Sequence, residues 1–315
     1  MVDFHTHSNV SDGDLTPALL VKEAVRQGIR ALALTDHDTI MGLESAKAAA
    51  QQENAAGNPF RFIPGIEVNI NWTGGKSVPG ISNGISGLGP GGEFHLLGLG
   101  IYSPSQAFIA AVEGLARRRE KRNREILDRM HELSLTVSDD KAGIDATWEE
   151  LKLIAGAKGK NESLGRPHFA AYLIKHRIVK NVNQAFSRYL GVDKPLYVPK
   201  DGLAFEEAVS LIRESGGIPV LAHPISLFIA WGRLPDMIKA LKDMGLAGLE
   251  AWHPTAKPGS CRRLEELAKS LGLYITEGSD FHGSLRPDRR LGYSSRDRKI
   301  SDAVLEAIPE LASPT

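Results

Sequence analysis

Short apolar runs recur along this chain and alternate with stretches whose apolar residues fall at helical spacing. Seven runs stand out: "VDFHTH" from residue 2, "IRALALTDHD" from 29, "FRFIPGIEVN" from 60, "FHLLGLGIY" from 94, "GGIPVLAHP" from 216, "LAGLEAWHP" from 246 and "LYITEGSDFHG" from 273. After the first, Thr16 and Pro17 head a helical pattern, "TPALLVKEAVRQG", which Gly28 closes. A second helix is expected from Met41 to Ala56. Strand-length runs separated by helical patterns predict an α/β protein of βα repeats around a parallel sheet. Residues 104–198 break this rhythm, being rich in helical periodicity and poor in strand signals. They predict a helical subdomain inserted into a discontinuous barrel of residues 1–103 and 199–295, with 296–315 as a C-terminal tail. The glycine-rich residues 73–93 predict a surface loop. It is either a tolerated insertion or, lying between Glu67 and His95, a mobile lid.

The runs end in an unusual way. They terminate in His5 and His7, in Asp36 and His37, in Glu67, in His223, in His253, and in Asp280 and His282, whereas His95 opens its run. The carboxyl ends of parallel strands are where barrel and open-sheet α/β enzymes build active sites. Side chains at i and i+2 of a strand share a face, so His5/His7 and Asp280/His282 each form a two-toothed clamp. If the first and last strands are neighbours in a closing barrel, the two clamps face each other. With Asp12, His37, Glu67, His95 and His223 they supply nine candidate ligands. Imidazole with carboxylate suits zinc, manganese or iron better than calcium. One zinc needs three or four ligands, so nine imply two or three metals, with Glu67 as a bridge. Only His131 and His176 of the ten histidines fall within helical patterns, and these read as ordinary structural residues.

Composition narrows the class. Lys+Arg and Asp+Glu are 38 each, so a basic face for long nucleic acid is not expected, although a small phosphorylated substrate needs only local positive charge. The single cysteine, Cys261, permits no intrachain disulfide and suits a reducing compartment. No run has membrane-spanning length and no secretory signal is read at the N-terminus, so a cytoplasmic protein without membrane association is expected.

The segments "DFHTHSNVSDG", "ALTDHDTIMGL", "IPGIEVN", "HLLGLGI", "GRPHFA", "RYLG", "YVPK", "GGIPVLAHP", "GLEAWHP" and "GSDFHG" resemble the polymerase and histidinol phosphatase (PHP) superfamily. Within it they are similar to the stand-alone branch of 3′,5′-nucleoside bisphosphate phosphatases and 5′→3′ exoribonucleases. The likeness runs in order over residues 2–293. It implies a distorted (β/α)7 PHP barrel with an inserted helical subdomain and a trinuclear centre of divalent ions, Mn, Fe or Zn. Carried over, His5, His7, Glu67 and Asp280 would hold one ion. Glu67, His95 and His223 would hold a second, and Asp12, His37 and His282 a third. Asp12 stands where more distant members have histidine. The chain also departs from the pattern in "ISLFIAWG" after "AHP" and in the length of its glycine-rich loop.

The resemblance further implies a phosphomonoesterase in which a hydroxide bridging two metals attacks phosphorus in line. The expected substrate is a nucleoside 3′,5′-bisphosphate (pAp to AMP), with trimming of short 5′-phosphorylated RNA as a compatible activity. Asp280, His253 and Arg166 are the candidate catalytic group. Arg166, His168, Lys200 and His253 are candidate substrate contacts, Arg166 because its planar fork matches phosphate. Asp36 is expected to orient a ligand histidine. The run "RRREKRNRE" at 117–125 reads either as a solvated helical face or as a source of phosphate contacts from Arg119, Arg122 or Asn123. Two alternatives differ in outcome. A histidinol-phosphatase-like enzyme would lack the "GRPH…YLG…YVPK" series, and a non-catalytic polymerase-type binding module would lack ligands or carry a long extension.

Overall fold

The computed structural model describes residues 1–71, 93–136, 141–155 and 164–312, with only the backbone described for 141–144. Each of the seven apolar runs forms a strand: β1 Val2–Asp3, β2 Ala31–Leu34, β3 Arg61–Asn69, β4 His95–Leu99, β5 Ile218–Leu221, β6 Gly248–Trp252 and β7 Tyr274–Glu277. They lie in one sheet in sequence order. Beyond β1 and β7 the edges meet, as Thr6 bridges Phe281 in parallel and the His7 N–H donates to the Phe281 carbonyl at 2.9 Å. The result is an α/β barrel, nearly closed.

The sheet is not wholly parallel, as the alternation predicts. β4 runs antiparallel to both β3 and β5. A parallel partner needs a crossover element, and β3 and β4 are paired as a hairpin, Asn69 opposite His95. This reversal explains why His95 opens its run. The start of a reversed strand lies at the same end of the barrel as the finish of its neighbours.

Local signals place the helices. In α1 (Pro17–Arg26) the Thr16 hydroxyl accepts from the Leu19 N–H, and Leu20, Val21 and Ala24 are buried against α2 (Leu43–Ala55) and β2. Chain direction reverses after α1 at Gly28, whose φ of 75° suits glycine. The barrel interior is filled by Ala31, Ala33, Ile63, Leu97, Leu99 and Val220 with Val2 and Phe4. Along β3 and β4 the same alternation carries Ile63 to Glu67 and Leu99 to His95. The inner wall therefore turns from apolar to ionisable within one strand. Ile300, Ile308 and Leu311 pack into that same core, so 296–312 seal the barrel rather than trail from it.

Between β4 and β5 lie the long α3 (Gln106–Glu132), α4 (Lys141–Ile154), α5 (Arg166–Lys175), the short α6 (Val182–Ala185) continuing into a π-helical turn at Phe186–Leu190, and α7 (Phe205–Glu214). Described residues between 126 and 198 form a hydrophobic core of their own, in which Leu127, Met130, Leu151, Phe169, Tyr172 and Leu173 are buried. Each such side chain contributes roughly 1.5–3 kcal/mol by leaving water. His168 lies in the first turn of α5, so the histidines on helices include it as well as His131 and His176, which caps α5. The glycine-rich stretch, Glu93 excepted, lies outside the described residues, and with it the expected loop and lid.

Candidate metal centre

Nine residues expected as ligands converge at the carboxyl end of the barrel. Around one point are His5 Nε2 and His7 Nε2, 3.1 Å apart, with Glu67 Oε2 at 3.4 and 3.3 Å and Asp280 Oδ1 at 3.6 and 3.2 Å from them. Around a second, Glu67 Oε1 stands 2.7 Å from His95 Nδ1 and 2.9 Å from His223 Nε2, which are themselves 3.2 Å apart. In a third group, Asp12 lies 3.2 Å from His282 Nε2 and 3.8 Å from His37 Nε2, and His7 adjoins it through Nδ1. Ligands about 2.0–2.1 Å from a tetrahedral ion lie roughly 3.3 Å from one another. These spacings fit. Glu67 offers one oxygen to each of the first two groups, as a bridge requires. Among the described residues, Asp12 Oδ1, Glu67 Oε2 and His37 Nδ1 are buried without a well-formed hydrogen bond, while His37 Nδ1 stands 2.8 Å from Glu67 Oε2 and His282 Nε2 3.2 Å from Asp12 Oδ1, so cations or protons held between them would satisfy these atoms.

The outer nitrogens are fixed by partners. A carboxylate can only accept, so His5 donates Nδ1–H to Glu250 Oε1 (3.0 Å) and turns Nε2 inward. Glu250 Oε2 also accepts the His223 N–H at 2.7 Å. His223 Nδ1 meets the Ser226 hydroxyl (2.6 Å), and His282 Nδ1–H meets the Asp280 carbonyl (2.8 Å). Gly278 is needed at the centre of this arrangement, because a Cβ there would stand 2.3 Å from His5 Cβ. His223 (φ 29°) and Asp280 (φ 50°) hold left-handed backbone, a strain of about 1–3 kcal/mol each that persists where surroundings enforce it.

Charges inside the cluster are strongly coupled. Burial resists ionisation of Glu67, but His37, His95 and His5 outweigh it and hold the carboxyl well below the usual range. Burial, then the charges of His282 and His37, push His7 down to about 3. Burial also opposes the charge on His282, yet Asp12 and Asp280 lift it to about 9. Such a site binds protons in place of metal ions, and metal must displace them.

The metal-type cluster forms part of the wall of a cavity of about 380 Å³. Arg119, Arg122, Arg166 and Lys200 also line it, with Phe186, Val192, Pro167 and Leu285 at other points of the wall. The run at 117–125 divides by face: Arg117, Glu120 and Arg124 are exposed in helical ion pairs, whereas Arg119 and Arg122 are buried at the cavity. The solvated reading describes the outer side of α3, while Arg119 and Arg122 line the cavity on its inner side. Asn123 instead donates to the Leu164 carbonyl.

Arg119 pairs with Asp38 at 2.7 Å, Arg122 donates Nε–H to the Val198 carbonyl at 3.1 Å, and one Arg122 amino group has no partner. Lys200 Nζ lies 2.9 Å from His95 Nε2, and Arg166 meets Glu93 at 2.7 Å.

Two expected substrate contacts sit elsewhere. His168 Nδ1 accepts the Gly165 N–H and caps α5, and burial pushes its pKa down to about 4. His253 lies behind Asp280, with Nε2 3.1 Å from Asp280 Oδ2 and Nδ1 at the Thr255 hydroxyl, and neither histidine lines the cavity. Asp36 accepts from the Ser8 and Ser11 hydroxyls at 2.6 Å each and reaches His7 only through Ser11.

Sequence reading missed Glu250, Arg289 and Glu93. Arg289 is buried and donates to Asp280 Oδ2 at 2.8 Å. A charged residue inside the core strand "GLEAW" is a legible signal for Glu250. Arg289 and Glu93 carry none, since their neighbours in sequence are ordinary loop residues.

A family profile described as PHP domain matches residues 3–166. A 5′-3′ exoribonuclease of Haemophilus influenzae is 32% identical over 280 residues, covering 89% of each chain. A 3′,5′-nucleoside bisphosphate phosphatase of Chromobacterium violaceum is 31% identical over 296 residues, covering 93% of this chain and 91% of that one. Among solved structures, a metal-dependent phosphoesterase from Bifidobacterium adolescentis superposes with a TM-score of 0.76 at 25% identity, covering 98% of this chain and 96% of that one.

Proposed function

This chain belongs to the PHP domain family and is a metal-dependent phosphoesterase of it, and from that premise we propose that it removes the 3′-phosphate of nucleoside 3′,5′-bisphosphates. The observation that carries the substrate is that one cavity is lined both by seven of the nine cluster residues and by Arg119, Arg122, Arg166 and Lys200. One phosphoryl group has a place at the cluster and the other at the cationic wall. A substrate with a single phosphate leaves one of them unused. Short RNA with a 5′-phosphate end offers the same pair of groups, and its trimming is the compatible second activity.

We assign His5, His7, Glu67 and Asp280 to one divalent ion, Glu67, His95 and His223 to a second, and Asp12, His37 and His282 to a third, with Mn, Fe and Zn all suited to the donor set. When bound, such ions lower the pKa of water and neutralise charge on phosphoryl oxygens. The chain's own residues do the positioning. Glu250 holds the His5 tautomer, and Arg289 and His253 hold one oxygen of Asp280 so that the other faces His5 and His7. Arg166 and Arg122 present guanidinium donors to the distal phosphate, and burial strengthens those contacts.

The test is phosphate release by metal-stripped protein re-supplied with Mn²⁺, on adenosine 3′,5′-bisphosphate, 3′-AMP, 5′-AMP and histidinol phosphate in parallel. Fast release from the bisphosphate alone, leaving 5′-AMP, is the expected result. Equal rates on 3′-AMP would remove the cationic wall from substrate recognition. Preference for histidinol phosphate would replace the proposal outright.

A further inference from the structure

Glu93 occupies a position that none of the site chemistry above requires. Its Oε1 lies 2.7 Å from an Arg166 amino group and 3.2 Å from Lys200 Nζ, so a single carboxylate oxygen is shared by both cations. That is the bridging place a phosphate oxygen would take. The Glu93 backbone is tied at both polar atoms: its N–H donates to the Ser226 carbonyl at 2.9 Å, and its carbonyl accepts the Ser226 hydroxyl at 3.1 Å. Ser226 in turn contacts His223. The main chain is thereby anchored beside the cluster, while the side chain is 38% exposed and held by these two ion pairs. Arg166 is otherwise held by the Leu190 carbonyl, 3.4 Å from its other amino group, and by the Phe186 ring, 5.6 Å from its guanidinium carbon.

We propose that the Glu93 carboxylate is an internal stand-in for the distal phosphate, a specificity-determining residue that competes with incoming anions for Arg166 and Lys200. This rests on the reading of Arg166 and Lys200 as the phosphate clamp. In the resting protein Glu93 keeps the two cations paired and the cavity closed to small anions that bring too little binding energy to displace it. A substrate fastened at its other phosphate displaces the carboxylate because its second contact is then intramolecular. Inorganic phosphate entering the site of Arg166 and Lys200 has no second anchor and meets the full competition there.

The experiment is titration calorimetry of inorganic phosphate into Mn²⁺-loaded protein, comparing wild type, Glu93→Gln, Glu93→Asp and Arg166→Met. Glutamine keeps the shape and removes the charge at a half-exposed position, so folding is preserved. The expected result is phosphate binding tightened about tenfold in Glu93→Gln, an intermediate change in Glu93→Asp, and weakened binding in Arg166→Met. Unchanged or weaker binding in Glu93→Gln, with Arg166→Met weakened, would overturn the stand-in and leave the clamp in place, Glu93 then being a residue that orients Arg166. Unchanged binding in Arg166→Met would overturn the clamp and the stand-in together.

Discussion

Replacing Arg122 by methionine separates recognition from stability, because the two should move in opposite directions. Arg122 is 8% exposed and makes one hydrogen bond to a backbone carbonyl; among the described residues one amino group is unpartnered and no carboxylate lies within ion-pair distance. Burial first, then the nearby charges of Arg166 and Arg119, bring its pKa down to about 9. Each tenfold change in proton affinity corresponds to about 1.4 kcal/mol, so keeping Arg122 charged costs the folded protein on the order of a few kcal/mol. Methionine retains the apolar stem and removes that cost. The substitution should be neutral or stabilising by about 1–2 kcal/mol, which is a rise of roughly 2–8 °C in melting temperature.

Catalysis should respond the other way. A hydrogen bond to a charged phosphate is worth about 1.5–3 kcal/mol, so kcat/KM for the bisphosphate should fall roughly 10- to 150-fold. Scanning calorimetry without phosphate and steady-state kinetics on one protein preparation read both quantities. A variant that melts lower while its kcat/KM is unchanged would show that Arg122 is a structural strut and would refute the reasoning.

Glu67→Gln should remove more than one metal ion per chain, measured by elemental analysis after dialysis, because both Glu67 oxygens face different donor groups; loss of one ion or none would break the bridge assignment. Metal binding at pH 7.5 should release protons: His282, lifted to about 9 in the metal-free protein, is charged below that pH and must lose its proton to ligate, whereas above pH 9 the release should decline. Calorimetry in buffers of different ionisation enthalpy counts those protons, and a count of zero at pH 7.5 would contradict it. Arg289→Met should lower kcat and metal affinity about 10- to 100-fold with little change in KM, since Arg289 touches Asp280 and lies away from the cationic wall; an effect confined to KM would place it on the substrate instead.

Much of this protein is legible from local pattern. The seven strands follow from short apolar runs, α1 from Thr16, Pro17 and Gly28, and eight of the nine convergent residues from their places at the ends of those runs, Asp12 lying five residues beyond the first. Each of these signals lies within a few residues of what it specifies. The reversal of β4 is also local in origin, but it shows only when Asn69 and His95 are seen paired.

What surrounds the cluster was decided by tertiary structure alone. His5 meets Glu250 across 245 residues of chain, and Arg166 meets Glu93 across 73. Asp3 accepts the Gly292 N–H across 289 residues and helps to seal the barrel. The left-handed backbone at His223 and Asp280 is likewise seen only in the folded chain, since residue type permits it there without requiring it. Periodicity records how each segment meets a core, whereas long-range partners depend on barrel closure and on the insertion's seating over the strand ends. Ligand chemistry could therefore be read along the chain, but the groups that orient those side chains and the carboxylate that pairs with Arg166 and Lys200 came into view only once the chain was folded.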